Sequence, residues 1–228
     1  MLQPFGWPTP PLLSGSWHEI DPDLAREFRD LLVSSQIRCT PLVYAGAMRR
    51  YRVRPLAFWP GWMWVDALVD TKQGAASAAF LYGPYGAHEL DGTSALIHDV
   101  NEGGALDVST ADLAADYLRF FCSAVRGDEG PFFLIEDSER FALLSGSAFP
   151  DAGLAAHARP VAVRQTATGW DLEAFVYYGD ALFASRFSLD ATGLVEMIDD
   201  EPLFTGVATP QIDYDGLVSR PRTAGGMA

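Results

Sequence analysis

The chain has 228 residues, of which 49% are apolar and 20% charged; this balance is typical of a globular protein and excludes a disordered one. Its formal net charge of −14 opposes non-specific binding to nucleic acid or to an anionic membrane surface. Two cysteines, Cys39 and Cys122, are too few for a disulfide framework. We therefore expect an acidic α+β protein that has no disulfide and does not bind nucleic acid.

Residues 1–17 predict an extended, Pro-rich arm. They contain four prolines and no charged residue, whereas a secretory signal begins with basic residues before an unbroken apolar run. The apolar stretches 55–65 and 73–87 are interrupted by Pro or Gly and are shorter than a membrane span. We expect a cytoplasmic protein with no transmembrane segment, in which Trp7 and Trp17 pack the arm onto the body or onto a partner.

Two segments have the pattern of amphipathic helices. In 21–35, Asp21-Pro22-Asp23 supplies a cap and a proline for the first turn, and apolar residues follow at helical spacing. In 109–126, Ser109 and Asp112 resemble a capping box, and the polar residues form one narrow stripe on an otherwise apolar surface. The second pattern predicts a long central helix that lies against a sheet.

Runs rich in β-branched and aromatic residues predict the strands. They are 49–58, 62–70, 76–82, 132–136, 160–167, 171–178, 181–189 and 194–198. Pro60-Gly61 suits a type II turn, and Gly179-Asp180 suits a two-residue hairpin turn. We expect 86–108 to be mostly loop.

Together these elements predict an antiparallel, meander-rich sheet packed on the long helix and on the shorter N-terminal helix. We expect one domain over 18–218, with a division near 145–158 as the alternative, and a C-terminal tail over 219–228. A helix followed by a long curved meander is also how cone-shaped NTF2-like domains are built. The C-terminal part is similar to them in the order of its elements, and no residue motif carries this comparison.

The sequence contains no common catalytic or cofactor signature: it lacks GxGxxG, a Walker-type phosphate loop, HExxH, GxSxG and zinc-ligand spacing. We therefore expect no cofactor. The candidates for chemistry are His98, Asp99 and Glu102, because an imidazole beside carboxylates is suited to general base catalysis. His88 and Glu89 are further candidates for the same site. The alternative interpretation is a polar loop without a function.

Two acidic clusters, 136–139 and 199–201, follow predicted strands. Carboxylates at strand ends can hold Mg²⁺ or Ca²⁺, but acidic residues also end strands and solvate turns. We predict no metal site at either cluster.

Three groups of residues are candidates for binding. They are Trp59, Trp62 and Trp64 at one turn, Arg50, Arg52 and Arg54 on one face of a strand, and Tyr82 and Tyr85 beside a Gly-Pro turn. Exposed tryptophans would form a hot spot for a protein partner, whereas buried ones would be core. The arginine row would bind an acidic or phosphate-bearing ligand, or pair with the chain's own carboxylates.

We predict a binding or adaptor protein without enzymatic activity, which acts through a protein partner or through self-association. The alternative is a small-molecule-binding protein or enzyme with a pocket between sheet and helix, using His98, Asp99 and Glu102. A third interpretation, an acidic inhibitor of a nucleic-acid enzyme, requires the negative charge to lie on one face.

Overall fold

The computed structural model describes residues 6–35, 48–104 and 106–222. Cys39 and the first five residues of the arm lie outside these ranges. Helices and antiparallel sheets are mixed along the chain, so the α+β prediction is confirmed. No helix in the described ranges is both long enough and apolar enough to cross a membrane.

The first sheet combines early strands with the last two. Its strands are β1 (His18–Glu19), β2 (Met48–Pro55), β3 (Met63–Thr71), β4 (Gly74–Gly83), β5 (Gly86–Glu89), β13 (Ile212–Tyr214) and β14 (Val218–Pro221). Their order is β1-β2-β3-β4-β14-β13, and β5 also pairs with β4. The last strand, β14, extends into the segment 219–228 that was predicted as a tail: Val218 and Ser219 pair with Ala78 and Ser77 of β4, and both side chains are buried.

The second sheet is the C-terminal meander together with one short earlier strand. Its strands are β8 (Phe133–Leu134), β9 (Ala162–Gln165), β10 (Gly169–Tyr178), β11 (Ala181–Asp190) and β12 (Val195–Thr205). β10 and β11 pair from Gly169 with Asp190 to Tyr178 with Ala181, so the hairpin turn at Gly179-Asp180 is confirmed. β12 is an edge strand in the order β12-β11-β10. A two-residue ribbon, β6 (Arg126–Gly127) and β7 (Gly130–Pro131), is separate from both sheets.

Five helices are described. They are α1 (Ala25–Ser34), α2 (Ala95–Glu102), α3 (Ala111–Ala124), α4 (Ser138–Ser145) and α5 (Ala152–Ala155). α3 is capped by Thr110, whose side chain accepts a hydrogen bond from the Leu113 backbone at 3.3 Å, so the predicted cap at Ser109 is one residue early. α1 begins later than predicted, because the Asp21 side chain accepts from the Asp23 backbone in a turn that precedes the helix.

Residues predicted as loop form α2. Ile97 and Val100 are buried on one side of this helix, whereas Asp99 is exposed on the other. The apolar side is only a few residues long and is followed by Gly103 and Gly104, so the sequence pattern resembles a loop. Packing of Ile97 and Val100 into the core stabilises the helix in its place.

The largest core cluster joins both sheets. Its members come from the arm (Leu12, Leu13), from the first sheet (Trp64), from α3 (Phe120) and from the second sheet (Leu172). It contains residues from both sides of 145–158. A smaller cluster lies on the opposite face of the first sheet, where Leu32 of α1 is its helical member.

A chain of hydrogen bonds crosses the large cluster. Trp59 Nε1 donates to Asn101 Oδ1 at 3.0 Å, Asn101 Nδ2 donates to Tyr117 Oη at 2.8 Å, and Tyr117 Oη donates to the Gly193 carbonyl at 2.9 Å. Burial raises the pKa of Tyr117 to about 12, so its hydroxyl keeps its proton. This chain links the β2–β3 loop, α2, α3 and the β11–β12 turn.

Candidate functional site

The arginine row of β2 is covered by the chain itself. Its three ion pairs are Arg50 with Glu19, Arg52 with Asp66, and Arg54 with Asp116. Arg52 also lies 4.2 Å from the ring of Trp7 and 5.4 Å from that of Trp17, so the arm caps the row. Of the two sequence interpretations, the structure supports pairing with the chain's own carboxylates.

The arm that covers this row is held from the far side by Arg140 of α4. Its guanidinium donates to the carbonyl oxygens of Pro11 at 3.1 Å and Leu12 at 2.6 Å. Burial lowers the pKa of Arg140 to about 10, and the nearby Asp137 opposes this change. The described part of the arm is therefore packed onto the body, and Leu13 is fully buried.

The three tryptophans of the predicted hot spot are buried. Trp59 and Trp64 have no exposed surface and Trp62 is 3% exposed, so the core interpretation is the one that the structure supports. The turn itself is as predicted: Trp62 N donates to the Trp59 carbonyl at 2.9 Å, and Gly61 has a φ of 81°, as a type II turn requires. Trp59 and Trp64 are buried against α3, where their rings meet Phe120 at 5.0 and 5.7 Å, and Trp62 packs against Trp59 at 6.1 Å.

A cavity of about 520 Å³ lies between the β4–β5 hairpin and α2. This volume is in the range of small-molecule sites. Its walls combine aromatic, apolar and acidic residues. They are Trp62, Tyr85, His88, Glu89, Asp91, Ala95, Leu96, Asp99, Val100 and Gly103. Hereafter this cavity is called the hairpin pocket.

The local structure explains how these residues meet. The β4–β5 hairpin turns at Pro84-Tyr85, which exposes Tyr85 and brings His88 opposite Leu81. On α2, Leu96, Asp99 and Gly103 lie three to four residues apart and therefore share one side of the helix. Hairpin and helix thus present their side chains to a common space.

The aromatic wall is an assembled group of rings. The centroid of Trp62 lies 6.2 Å from that of Tyr85 and 6.0 Å from that of His88. A Cβ on Gly83 would lie 2.2 Å from the Trp62 ring, so the glycine allows the indole to lie flat against the strand. Tyr82 is not part of this wall, because its ring packs towards Phe28 of α1 at 6.4 Å.

Only one of the three residues proposed for chemistry lines the hairpin pocket. Asp99 lies in its wall, whereas His98 and Glu102 are absent from its lining. The imidazole that does line the pocket is His88, one of the further candidates. Burial lowers the pKa of His88, and the negative charge of Asp99 opposes this shift, so the ring is neutral at pH 7.

A buried polar atom of the pocket wall, the Trp62 ring nitrogen, has no partner among the described residues. Trp62 Nε1 is buried, and no hydrogen-bond acceptor for it is present within the described ranges. By contrast, Trp59 and Trp64 both donate, to Asn101 at 3.0 Å and to Asp66 at 2.8 Å. A buried donor that lacks an acceptor costs folding free energy, and such donors are frequent where a ligand or water completes a site.

Sequence reasoning missed Asp91, Leu96 and Val100. Leu96 and Val100 were visible as an apolar piece, and the spacing Leu96-Asp99-Gly103 would have revealed a shared face if the segment had been interpreted as a helix. Asp91 belongs to no motif in the sequence. It lines the pocket because the chain passes along the cavity directly after β5.

Of the two acidic clusters, 136–139 has structural roles and 199–201 is exposed to solvent. Glu136 is held by Arg119 through two hydrogen bonds of 2.7 Å, and Asp137 caps α4. Residues 199–201 lie in β12, where they are exposed. Over the part of the chain that is described, no group of three or more His, Cys, Asp or Glu side chains is placed to hold a metal ion.

Comparison with known proteins returned no match to a family model, to a curated protein or to a solved structure.

Proposed function

We propose that the protein binds a small molecule in the hairpin pocket. The observation that carries this proposal is the convergence of Trp62, Tyr85, His88 and Asp99 on one cavity of ligand size. Two other cavities are as large, at about 510 and 570 Å³, but no aromatic ring is found among their described lining residues. The surfaces expected to bind a protein partner, by contrast, are buried or paired.

We assign no catalytic step to this pocket. Neutral His88 beside Asp99 is able to accept a proton, but general base catalysis also requires a bound substrate that places an acidic proton within reach of the ring. Binding requires only the shape and polarity of the walls.

The pocket is tested by filling it. Ala95 is exposed at the first residue of α2 and lines the pocket, so a tryptophan there occupies the cavity. Ala152 is an exposed alanine at the first residue of α5, away from the pocket, and Ala152→Trp is the matched control. We expect ligand-observed NMR on a set of aromatic fragments to detect binders that Ala95→Trp loses and Ala152→Trp keeps. If no fragment distinguishes the two variants, the pocket is not a binding site.

Protein binding is a second candidate, and β12 favours it. All residues of this 11-residue edge strand are exposed or half-buried, and the large apolar side chains Met197 and Ile198 are 42% and 50% exposed. Its carboxylates include Asp200 and Glu201, for which no ion pair occurs among the described residues. A basic extended segment of a partner would pair with this edge as an added strand. Acidic residues and Pro202 also protect an edge from aggregation, which is the alternative explanation.

The β12 candidate is tested with a labelled peptide of alternating Val and Arg, measured by fluorescence anisotropy. We expect wild-type protein to bind the peptide, Glu201→Arg to abolish binding, and Asp112→Arg on exposed α3 surface to leave it intact. Equal loss in both variants would indicate non-specific attraction to the net charge of −14 rather than an edge site.

A further inference from the structure

The charge of the hairpin pocket distinguishes it from the other cavities. Its ionisable walls are Glu89, Asp91 and Asp99 together with His88, and no arginine or lysine lines it within the described residues. Four other cavities in the described part of the chain each contain at least one arginine. These are Arg186, Arg119, Arg220 and Arg126, respectively.

This absence of arginine is local. The chain carries 16 Lys and Arg residues, and on β2 the arginines occupy the space beside the carboxylates. In the pocket, no hydrogen bond or ion pair to the side chain of Asp99 occurs among the described residues, although its charge acts on His88. A neutral imidazole does not balance the charge of Asp99, so this part of the pocket has a negative potential that a cation would complement.

The aromatic wall is suited to the same class of ligand. The faces of Trp and Tyr rings attract organic cations, and this attraction is strongest where the cation is partly removed from water. Leu96 and Val100 form an apolar surface opposite the rings, which suits a flat hydrocarbon body.

We infer that the ligand is an organic cation: a protonated amine carried on a flat apolar or aromatic body. This inference rests on the proposed function, since it names the ligand class of the same pocket. The amine lies against Asp99 and the acidic rim, and the body lies between the rings and α2.

The experiment uses three probes with one body and three charges: 5-methoxytryptamine (cationic), 5-methoxytryptophol (neutral) and 5-methoxyindole-3-acetate (anionic). Each is titrated by calorimetry into the full-length protein, into Asp99→Asn and into Ala95→Trp. We expect wild-type protein to bind the amine about tenfold more tightly than the alcohol, and the carboxylate least. Asp99→Asn should reduce affinity for the amine about tenfold and leave affinity for the alcohol unchanged.

The outcomes separate the two proposals. If the alcohol or the carboxylate binds wild-type protein as tightly as the amine, and Ala95→Trp loses that binding, the pocket is a ligand site but the cation inference is overturned. If Ala95→Trp retains the binding of every probe, the proposed function itself fails. Lack of measurable binding by the amine at millimolar concentration also overturns the inference, because the cation is then not favoured by the acidic rim. Unfolding curves of Asp99→Asn that match wild type show that its effect is not a loss of fold.

Discussion

Two clusters each place a tryptophan near a carboxylate, yet one is closed and the other open. In the closed cluster, Asp66 accepts from Arg52 Nε and from Trp64 Nε1, both at 2.8 Å, and the arm covers the group. In the hairpin pocket, Asp99 is exposed and Trp62 Nε1 has no acceptor in the described structure. A tryptophan beside a carboxylate therefore indicates stability in one place and a candidate site in the other, and the hydrogen-bond partners decide which.

The largest expected effect concerns the closed cluster. Asp66→Asn leaves the buried Arg52 guanidinium without a counter-charge, and we expect it to lower the free energy of unfolding by about 3–5 kcal/mol. Asp70, farther along the same strand, pairs with Arg49 at the surface, so Asp70→Asn should cost less than about 1 kcal/mol. Urea denaturation of both variants measures the difference. Equal, small losses would show that the closed cluster is not a stabilising unit.

A smaller effect should separate two tryptophans of one turn. Trp59→Phe and Trp62→Phe remove the same indole volume from buried positions, but only the first removes a hydrogen bond and leaves Asn101 Oδ1 without its donor. We expect Trp59→Phe to be more destabilising by about 1–2 kcal/mol, measured from thermal or urea unfolding. A larger loss for Trp62→Phe would contradict the view that its N–H is unpaired in the protein alone.

The smallest expected effect is a pH dependence of the free energy of unfolding, which arises from His88 in the hairpin pocket. The pKa of His88 is lowered on folding, so the unfolded chain takes up a proton at higher pH than the folded protein does. The neutral ring of His88 contributes its full share of the free energy of unfolding above the ordinary histidine pKa of about 6.5. This contribution is lost as the pH falls through the lower pKa that His88 has in the folded protein. The groups that face His88 are Tyr85 and Glu89 on its own hairpin, Asp91, and Asp99 from α2.

The check is the urea midpoint of wild type and His88→Gln from pH 8 to pH 5.5. We expect wild type to lose more stability on acidification than the variant, since other titrating groups are common to both. Parallel curves would show that the folded environment does not disfavour the charged imidazole.

Much of the fold followed from local pattern. The hairpin at Gly179-Asp180 and the turn at Pro60-Gly61 were predictable because each requires particular residues, and the apolar surface of α3 marked it as buried. α2 was not predictable, because tertiary packing of Ile97 and Val100 rather than a long repeat holds it in place. The pairing of β14 with β4 has no local signal at all.

The site was less predictable than the fold. Asp99, Trp62 and Tyr85 were identified, but from patterns that also selected Trp59 and Arg52, whose polar groups are satisfied inside the protein. Residue type gave the candidates, and only the three-dimensional arrangement separated paired from unpaired groups. The NTF2-like comparison stays a prediction about the order of elements.

The position of β14 has a consequence for synthesis. Ser219 donates to the Ser77 carbonyl across a separation of 142 residues and lies 3.2 Å from Thr9 Oγ1. During translation, β2, β3 and β4 emerge early and can form their hairpins, but β14, which continues the sheet beyond β4, is made much later. Until then the nascent chain exposes an unpaired strand edge at Ser77 and Ala78, the residues that pair with β14, and such an edge is recognised by chaperones and aggregates readily. We therefore expect completion of this sheet to be the slow, post-translational step of folding.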